Sequence, residues 1–209
     1  MILLVENQLF PPIDYIKKIA EAKHVKIDKY EYFRKATFRN RYVIATANGL
    51  SSLTIPVAGG REQKTLITEI EIDSTTDWRI KHWRSLTSAY RKAPFFEYYA
   101  EEIKSLLYNT ETGLFNFNIS ILHKLLKLLN INANIDFTTE YSSYSADKDF
   151  RNKLLPKSFQ AEAGGWQPKY SQVFEDRIGF QPNLSILDLL FCGGPNLLNL
   201  LEQSIKGDN

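Results

Sequence analysis

Short apolar runs and one amphipathic segment alternate at the start of the chain, and this pattern predicts a β-α-β unit. Ile2 to Val5 is an apolar run typical of a buried strand. Pro11-Pro12 opens a helix that we expect to reach about Ala22, because proline is well tolerated in the first helical turn. His24 to Ile27 alternates polar and apolar residues and predicts a second strand. The order of these elements is typical of a βαβ-like start.

Two further stretches have the alternation of strands. Tyr42 to Ala47 and Leu50 to Val57 flank Asn48-Gly49, which supplies the positive φ angles of a type I′ turn. We therefore predict a β-hairpin over about residues 42–57. Thr68 to Asp73 also alternates and predicts a strand with one face in water.

Helical periodicity dominates the middle and the end of the chain. We expect helices over about residues 78–90, 95–108, 118–130, 184–191 and 195–205. Between Phe137 and Lys169 the pattern fades, and we expect loop with short elements. The fold class predicted is mixed α/β, a single domain over residues 1–209. In it, a small sheet that includes the hairpin packs against helices.

Composition narrows the class of protein. Of 209 residues, 44% are hydrophobic, which suffices for a sizeable core. The net charge of +2 argues against broad nucleic-acid binding, which needs a strongly basic face. Cys192 is the only cysteine, the N-terminus does not resemble a signal peptide, and no run of about 20 apolar residues occurs. These features predict a cytoplasmic protein without a membrane span. The histidines lack metal-ligand spacing and no nucleotide-binding glycine motif occurs, so no metal or cofactor is expected.

Four cations crowd the entrance to the predicted hairpin: Arg34, Lys35, Arg39 and Arg41. Arg39 and Arg41 alternate, so in an extended segment they share a face, and Asn40 between them points the other way. Two guanidinium groups on one face suit a phosphate or a carboxylate, because each can donate two parallel hydrogen bonds. The alternative is a solvated strand edge whose charges discourage aggregation.

His82 lies near the middle of the apolar face of the predicted helix over residues 78–90. A histidine in this place is either a hydrogen-bonded core residue or a residue that faces a cleft. If it faces a cleft, its ordinary pKa of about 6.5 suits general acid–base catalysis. The neighbouring aromatic residues are more typical of a core than of a platform that stacks bases.

Two residues near the C-terminus are weaker candidates. Asp188 is an acid within the apolar stretch LSILDLLF, and a buried acid needs a polar or basic partner. Cys192 could act as a nucleophile, but no histidine or acid close in sequence supports that role, and buried cysteines are common.

Several segments, taken in order, resemble the WbqC-like protein family. They are NQLFPPIDY, FRKATFRNR, NGLSSLTIPV, EIEID, WRIKHWRSLTSAYRKAPFFEYY and LSILDLLFCGGP, and they extend from about Asn7 to Pro195. The resemblance implies a role in bacterial surface polysaccharide (O-antigen type) biosynthesis, in which acyl or aminoacyl transfer to an amino sugar has been proposed for relatives. It brings Arg39-Asn40-Arg41 and His82-Trp83-Arg84 into the candidate site. The segment over about residues 142–169 is shorter than in many relatives.

Two hypotheses follow. In the first, the chain is a transferase acting on a nucleotide-linked amino sugar. Arg39 and Arg41 hold phosphate with help from Lys35 or Arg84, and His82 is the general base. Asn40 and Asp188 orient neighbouring groups, and Trp83 belongs to the ligand site. In the second, the chain is a non-catalytic module that binds a phosphorylated ligand or docks a pathway enzyme. A cleft joining His82 to Arg39 favours the first hypothesis, and a buried, hydrogen-bonded His82 favours the second.

Overall fold

A computed structural model describes residues 2–58, 64–140, 148–160 and 168–194. The opening unit is confirmed: strand β1 spans Ile2–Val5, helix α1 Ile13–Glu21 and strand β2 His24–Ile27. The later elements are β3 Arg41–Thr46, β4 Gly49–Thr54, α2 Trp78–Tyr90, α3 Phe96–Leu107, α4 Leu114–Leu128, β5 Ile135–Phe137, β6 Lys148–Asp149, α5 Glu175–Ile178 and α6 Ile186–Gly193.

The main sheet has four parallel strands in the order β5-β2-β1-β6. Leu3 of β1 pairs with Val25 of β2 on one side and with Lys148 of β6 on the other. Val25 in turn pairs with Ile135 of β5. Because all four strands run in the same direction, their carboxyl ends lie along one edge of the sheet.

The hairpin is confirmed, but it forms a separate two-stranded sheet of β3 and β4 and does not belong to the main sheet. The predicted type I′ turn is wrong. That turn needs positive φ at both central residues, whereas at Asn48-Gly49 only Gly49 has it, with φ of 106°. Thr46 pairs with Gly49, so the chain reverses over Ala47 and Asn48.

The strand expected over Thr68 to Asp73 is also wrong. A short 3-10 helix, Ile67–Glu69, occupies its start. Its end makes only isolated bridges, from Glu71 to Gly113 and from Ile72 to Val57. The alternation has a different cause, because Ile70 and Ile72 are both buried although no continuous partner strand is present.

Helices α2, α3 and α4 lie where periodicity predicts them, with ends shifted by up to four residues. Asp77 precedes α2 but makes no side-chain capping bond. Helix α6 contacts the helical layer through Phe191, whose ring centroid lies 5.1 Å from that of Tyr90 and 5.1 Å from that of Phe96. The helix expected over residues 195–205 lies outside the described residues.

Helices and strands thus combine in one mixed α/β fold, as predicted. The loop expected over residues 137–169 contains β6, and β5 ends at its beginning. Across the described ranges, every helix is too short or too polar to cross a lipid bilayer.

Candidate functional site

A cavity of about 380 Å³ opens at the carboxyl edge of the parallel sheet. It is lined by Asp28, Glu31, Tyr32, Arg34, Arg39, Asp149, Arg151 and Asn152, and we call it the carboxyl-edge cavity. In the main sheet the chain runs outward from β1 through β2 to β5, and then returns to place β6 on the other side of β1. In open α/β sheets, ligands bind outside the carboxyl ends of the strands where the strand order reverses. The carboxyl-edge cavity has this position.

Arg39 and Glu31 form a buried ion pair in the carboxyl-edge cavity. Nη2 of Arg39 donates to Oε2 of Glu31 in a short contact, and also to Oδ1 of Asn152 at 3.0 Å. Nη1 donates to Thr37 Oγ1 at 3.3 Å. Arg39 is only 1% exposed, and its buried Nε has no partner among the described residues. The guanidinium is thus largely committed to protein groups.

A second carboxylate, Glu6, lies close to this pair. Its side chain accepts hydrogen bonds from Gln8 Nε2 at 2.7 Å and from the backbone N–H of Asn152 at 2.9 Å. Within the described ranges, Arg39 forms an ion pair with Glu31 alone, and Glu6 has no cationic partner.

The surroundings of Glu31 shift its proton affinity. Burial raises the pKa of Glu31 to about 7, and the charge of Glu6 adds to this effect. Arg39 lowers the pKa of Glu31, and so does the backbone N–H of Asn7, which donates to Glu31 Oε1 at 3.2 Å. Desolvation of the charged form is the larger effect. Glu31 therefore exchanges its proton close to neutral pH.

Arg151 joins the other two acids of the carboxyl-edge cavity. Its Nη1 donates to Asp28 Oδ2 at 2.6 Å, and its Nη2 to Asp149 Oδ2 at 2.7 Å. Hydrogen bonds from Arg151 lower the pKa of Asp149. Asp28 also accepts from the Tyr30 amide and from Thr138 Oγ1. The bonds of Arg151 thus connect the end of β6 to the segment after β2, although β1 lies between these two strands.

The rim of the carboxyl-edge cavity is more open. Arg34 is exposed, and its guanidinium makes no hydrogen bond or ion pair within the described part of the chain. Tyr32 is 43% exposed. Ala36 and Asn152 both have a φ of 57°, a left-handed conformation that non-glycine residues adopt rarely and that clusters at functional sites. Arg34 is thus a cation available to an anion.

The structure distributes the predicted basic residues differently from the expectation. Arg39 lies in the carboxyl-edge cavity, whereas Arg41 lies in β3 and its Nε donates to Thr54 Oγ1 at 3.0 Å. Asn40 is buried and donates to the Ile55 carbonyl at 2.8 Å. Lys35 is exposed and does not line the cavity. The shared face of Arg39 and Arg41 is therefore not formed, because Arg39 precedes the strand and turns into the core.

His82 is buried, with both ring nitrogens in hydrogen bonds. Nε2 lies 3.2 Å from the Thr54 carbonyl, which can only accept, so Nε2 carries the proton and Nδ1 accepts from the Tyr42 hydroxyl at 3.1 Å. Burial lowers the pKa of His82 to about 4. His82 does not line the carboxyl-edge cavity. Its role as a base stays a prediction, and these contacts favour a structural role.

The neighbours of His82 on α2 also lie outside the carboxyl-edge cavity. The Trp83 ring stacks on Phe96 at a centroid distance of 6.1 Å, and Lys104 Nζ lies 5.7 Å from the Trp83 ring centroid. Arg84 is exposed. The expected ligand contacts of Trp83 and Arg84 stay predictions. The structure does connect α2 to the hairpin, because Thr54 contacts both His82 and Arg41.

Asp188 is fully buried in α6 and accepts three hydrogen bonds. The donors are the Tyr90 hydroxyl at 2.9 Å, the Tyr170 hydroxyl at 2.6 Å and Gln172 Nε2 at 2.9 Å. Burial raises the pKa of Asp188, and these bonds oppose the shift. Burial also raises the pKa of Cys192, to well above its ordinary value. Asp188 has the polar partners that the sequence argument required, and it ties residues 170–172 to α6. Its catalytic role stays a prediction.

Sequence reasoning missed six residues of the carboxyl-edge cavity: Asp28, Glu31, Tyr32, Asp149, Arg151 and Asn152. A signal existed for the first two, because Asp28 directly follows the predicted strand β2 and Glu31 follows shortly after. Polar residues after buried parallel strands lie at the edge where ligands bind. No comparable signal marked the others, since β6 has only two residues, Lys148 and Asp149.

The fold and the position of the cavity define an α/β protein whose candidate site lies at the carboxyl edge of a parallel sheet. The chain belongs to the WbqC-like protein family, with a match over residues 7–164. That range contains all the residues that line the carboxyl-edge cavity, whereas Asp188 lies beyond it. A relative described as uncharacterized protein Rv1507c, from Mycobacterium tuberculosis, is 28% identical over 231 residues, covering 97% of this chain and 99% of the relative. No solved structure matches this chain.

Proposed function

We propose that the carboxyl-edge cavity binds a nucleotide-linked amino sugar. On this proposal, the chain transfers an acyl or aminoacyl group to the sugar nitrogen during bacterial surface polysaccharide (O-antigen type) biosynthesis. The observation that carries the proposal is the cavity itself, at the carboxyl edge of a parallel sheet, where three carboxylates line the wall with three guanidinium groups and that of Arg34 has no partner in the described residues, so both signs of charge face a ligand. A phosphate and an amino group on one ligand complement these two charges. Membership of the WbqC-like family supports the pathway.

Arg34 is the residue that we assign to the phosphate. Arg39 is already neutralised by Glu31, and Arg151 by Asp28 and Asp149. Arg34 is exposed at the rim and keeps its guanidinium donors for a ligand. Charge-assisted hydrogen bonds between guanidinium and phosphate are among the strong polar contacts in proteins.

The size of the carboxyl-edge cavity limits what it encloses. Its volume of about 380 Å³ lies near the lower end of the range for small-molecule sites, roughly 300–1,000 Å³. A phosphorylated sugar suits this space better than a whole nucleotide sugar. On this proposal, the nucleotide extends across the rim, where the exposed ring of Tyr32 lies.

A ligand screen tests the proposal. Thermal unfolding of the wild type is measured with UDP-glucosamine, other nucleotide sugars, coenzyme A thioesters and simple phosphates. A ligand at about 100 times its Kd stabilises the fold by roughly 2.7 kcal/mol. We expect a nucleotide sugar to raise Tm and Arg34→Ala to weaken its binding by about tenfold or more, since hydrogen bonds to charged groups contribute about 1.5–3 kcal/mol.

The matched control is Arg177→Ala, which removes an exposed arginine of α5 outside the carboxyl-edge cavity. Its affinity for the same ligand should equal that of the wild type. A nucleotide sugar that binds Arg34→Ala as tightly as the wild type would contradict the assignment of the phosphate to Arg34. No shift with any phosphate-bearing ligand would contradict the proposed function.

The second candidate function is a non-catalytic module that binds the same ligand or docks a pathway enzyme. The burial of His82 and the hydrogen bonds to both of its ring nitrogens favour it, because His82 is the residue that the transferase hypothesis assigns as the base. Incubation of the protein with the bound amino sugar and coenzyme A thioesters separates the two functions. A sugar product heavier by the acyl group supports the transferase, and binding without product supports the module.

A further inference from the structure

Glu31, which lines the carboxyl-edge cavity, lies near a second buried carboxylate, Glu6. Glu6 and Glu31 are both buried, and the described residues offer them a single cation, Arg39. Buried charges in proteins are normally paired, because desolvation of an unpaired charge is costly. Arg39 itself retains a buried Nε without a partner in the described part of the chain. The two carboxylates thus outnumber the guanidinium groups that contact them, and Glu31 is the one that lines the cavity.

We propose that Glu31 binds the amino group of the ligand and accepts its proton, which leaves the nitrogen free to be acylated. This inference rests on the proposed function, in which the ligand is an amino sugar. One N–H bond of the ammonium breaks, its electron pair stays on nitrogen, and an O–H bond forms on the Glu31 carboxylate. The step yields a bound neutral amine and a protonated Glu31, whose proton later passes to solvent through the open cavity.

The other acids of the carboxyl-edge cavity are less suited to this step. Asp149 is half exposed and held ionised by Arg151, which makes it a weak proton acceptor. Asp28 already accepts three hydrogen bonds, from Arg151, Tyr30 and Thr138. Glu31 accepts only two, one on each oxygen, so each oxygen keeps a lone pair for a ligand.

The proton affinities of the two partners support the transfer. Burial and the charge of Glu6 raise the pKa of Glu31 to about 7, and Arg39 lowers it without cancelling that effect. An amine with a pKa of about 8 lies within roughly one unit of this value. Proton exchange between the two groups is then nearly balanced, which is the condition for efficient general-base catalysis near neutral pH.

Two sugar phosphates that differ in one group provide the test. Calorimetry gives the Kd of glucosamine 1-phosphate and of glucose 1-phosphate, which carries a hydroxyl in place of the amino group. The proteins compared are the wild type, Glu31→Gln and Glu97→Gln, whose substituted residue is exposed on α3. We expect the wild type and Glu97→Gln to prefer the amine by about tenfold or more at pH 7.5. Glu31→Gln should lose this preference and still bind glucose 1-phosphate.

The outcomes separate the inference from the proposed function. Equal affinity of the wild type for both sugars, or a preference that survives in Glu31→Gln, overturns the role of Glu31 and leaves phosphate binding intact. Failure of the wild type to bind either sugar phosphate overturns the proposed function, and the role of Glu31 with it. If Glu31→Gln does not fold, the pH dependence of binding to the wild type tests the role of Glu31. The preference of the wild type for the amine must then fall between pH 7.5 and pH 5.5, and a constant preference overturns the inference.

Discussion

The pH dependence of stability should reveal the unusual proton affinity of Glu31. Its pKa is about 7 in the folded protein, against 4.5 for an ordinary glutamate. A raised folded pKa stabilises the fold fully below the unfolded value, and this contribution is lost as the pH rises through 7. Between pH 5 and pH 8, Glu31 should therefore lower the free energy of unfolding by about 2–3 kcal/mol.

Urea unfolding of the wild type and of Glu31→Gln at pH 5, 6, 7 and 8 measures this contribution. Glutamine does not titrate, so the difference in unfolding free energy between the two proteins isolates residue 31 from all other groups. This difference, wild type minus variant, should decrease by about 2–3 kcal/mol over the series. Glu97→Gln, a change at an exposed position, should show no such trend.

Two other results would refute the reasoning. A difference that stays constant with pH would mean that Arg39 fully compensates the burial of Glu31. A difference that increases with pH would mean that the ion pair lowers the pKa of Glu31 below 4.5, and the carboxylate would then be a poor proton acceptor.

Two further changes test the residues that the structure places in the core. His82→Ala should lower the free energy of unfolding by about 2–3 kcal/mol, because Tyr42 and Thr54 lose their partner, and urea denaturation measures this loss. Loss of sugar-phosphate binding in a folded His82→Ala protein would instead support a role in the site. Asp188→Ala leaves the Tyr90 and Tyr170 hydroxyls without their acceptor and should cost about 2–5 kcal/mol in the same assay, whereas a cost below about 1 kcal/mol would contradict the hydrogen-bond network.

The pattern of apolar and polar residues was sufficient to predict an element where the segment's own sequence determines its structure. Strands β1 and β2 have the predicted bounds. Each has four residues with an apolar or alternating pattern, and the amphipathic helix α1 separates them, so the sequence itself marks where each strand begins and ends. Strands β5 and β6 could not be predicted in this way. They have only three and two residues, which is too short for a periodic pattern. They are strands because β5 pairs with β2 and β6 pairs with β1.

The candidate site was predicted only in part, because contacts between distant segments form it. The basic cluster correctly marked the neighbourhood of the carboxyl-edge cavity, since Arg34 and Arg39 both line it. The sequence could not reveal that Glu31, eight residues before Arg39, neutralises that arginine. Nor could helical periodicity decide between a core and a cleft for His82, because both place the residue on the apolar face.

The ion pair between Arg39 and Glu31 decides which arginine substitution gives a clear test of ligand binding. Replacement of Arg39 by alanine would weaken a phosphate ligand if Arg39 bound it directly. The same replacement would also leave Glu6 and Glu31 buried without a cation, which destabilises the fold and repels an anion. A loss of binding in Arg39→Ala therefore has two explanations. Arg34→Ala has one, because the Arg34 guanidinium holds no other described group in place. The phosphate assignment thus depends on Arg34, and Arg39 is better understood as the residue that holds Glu31 ionisable and in position at the cavity floor.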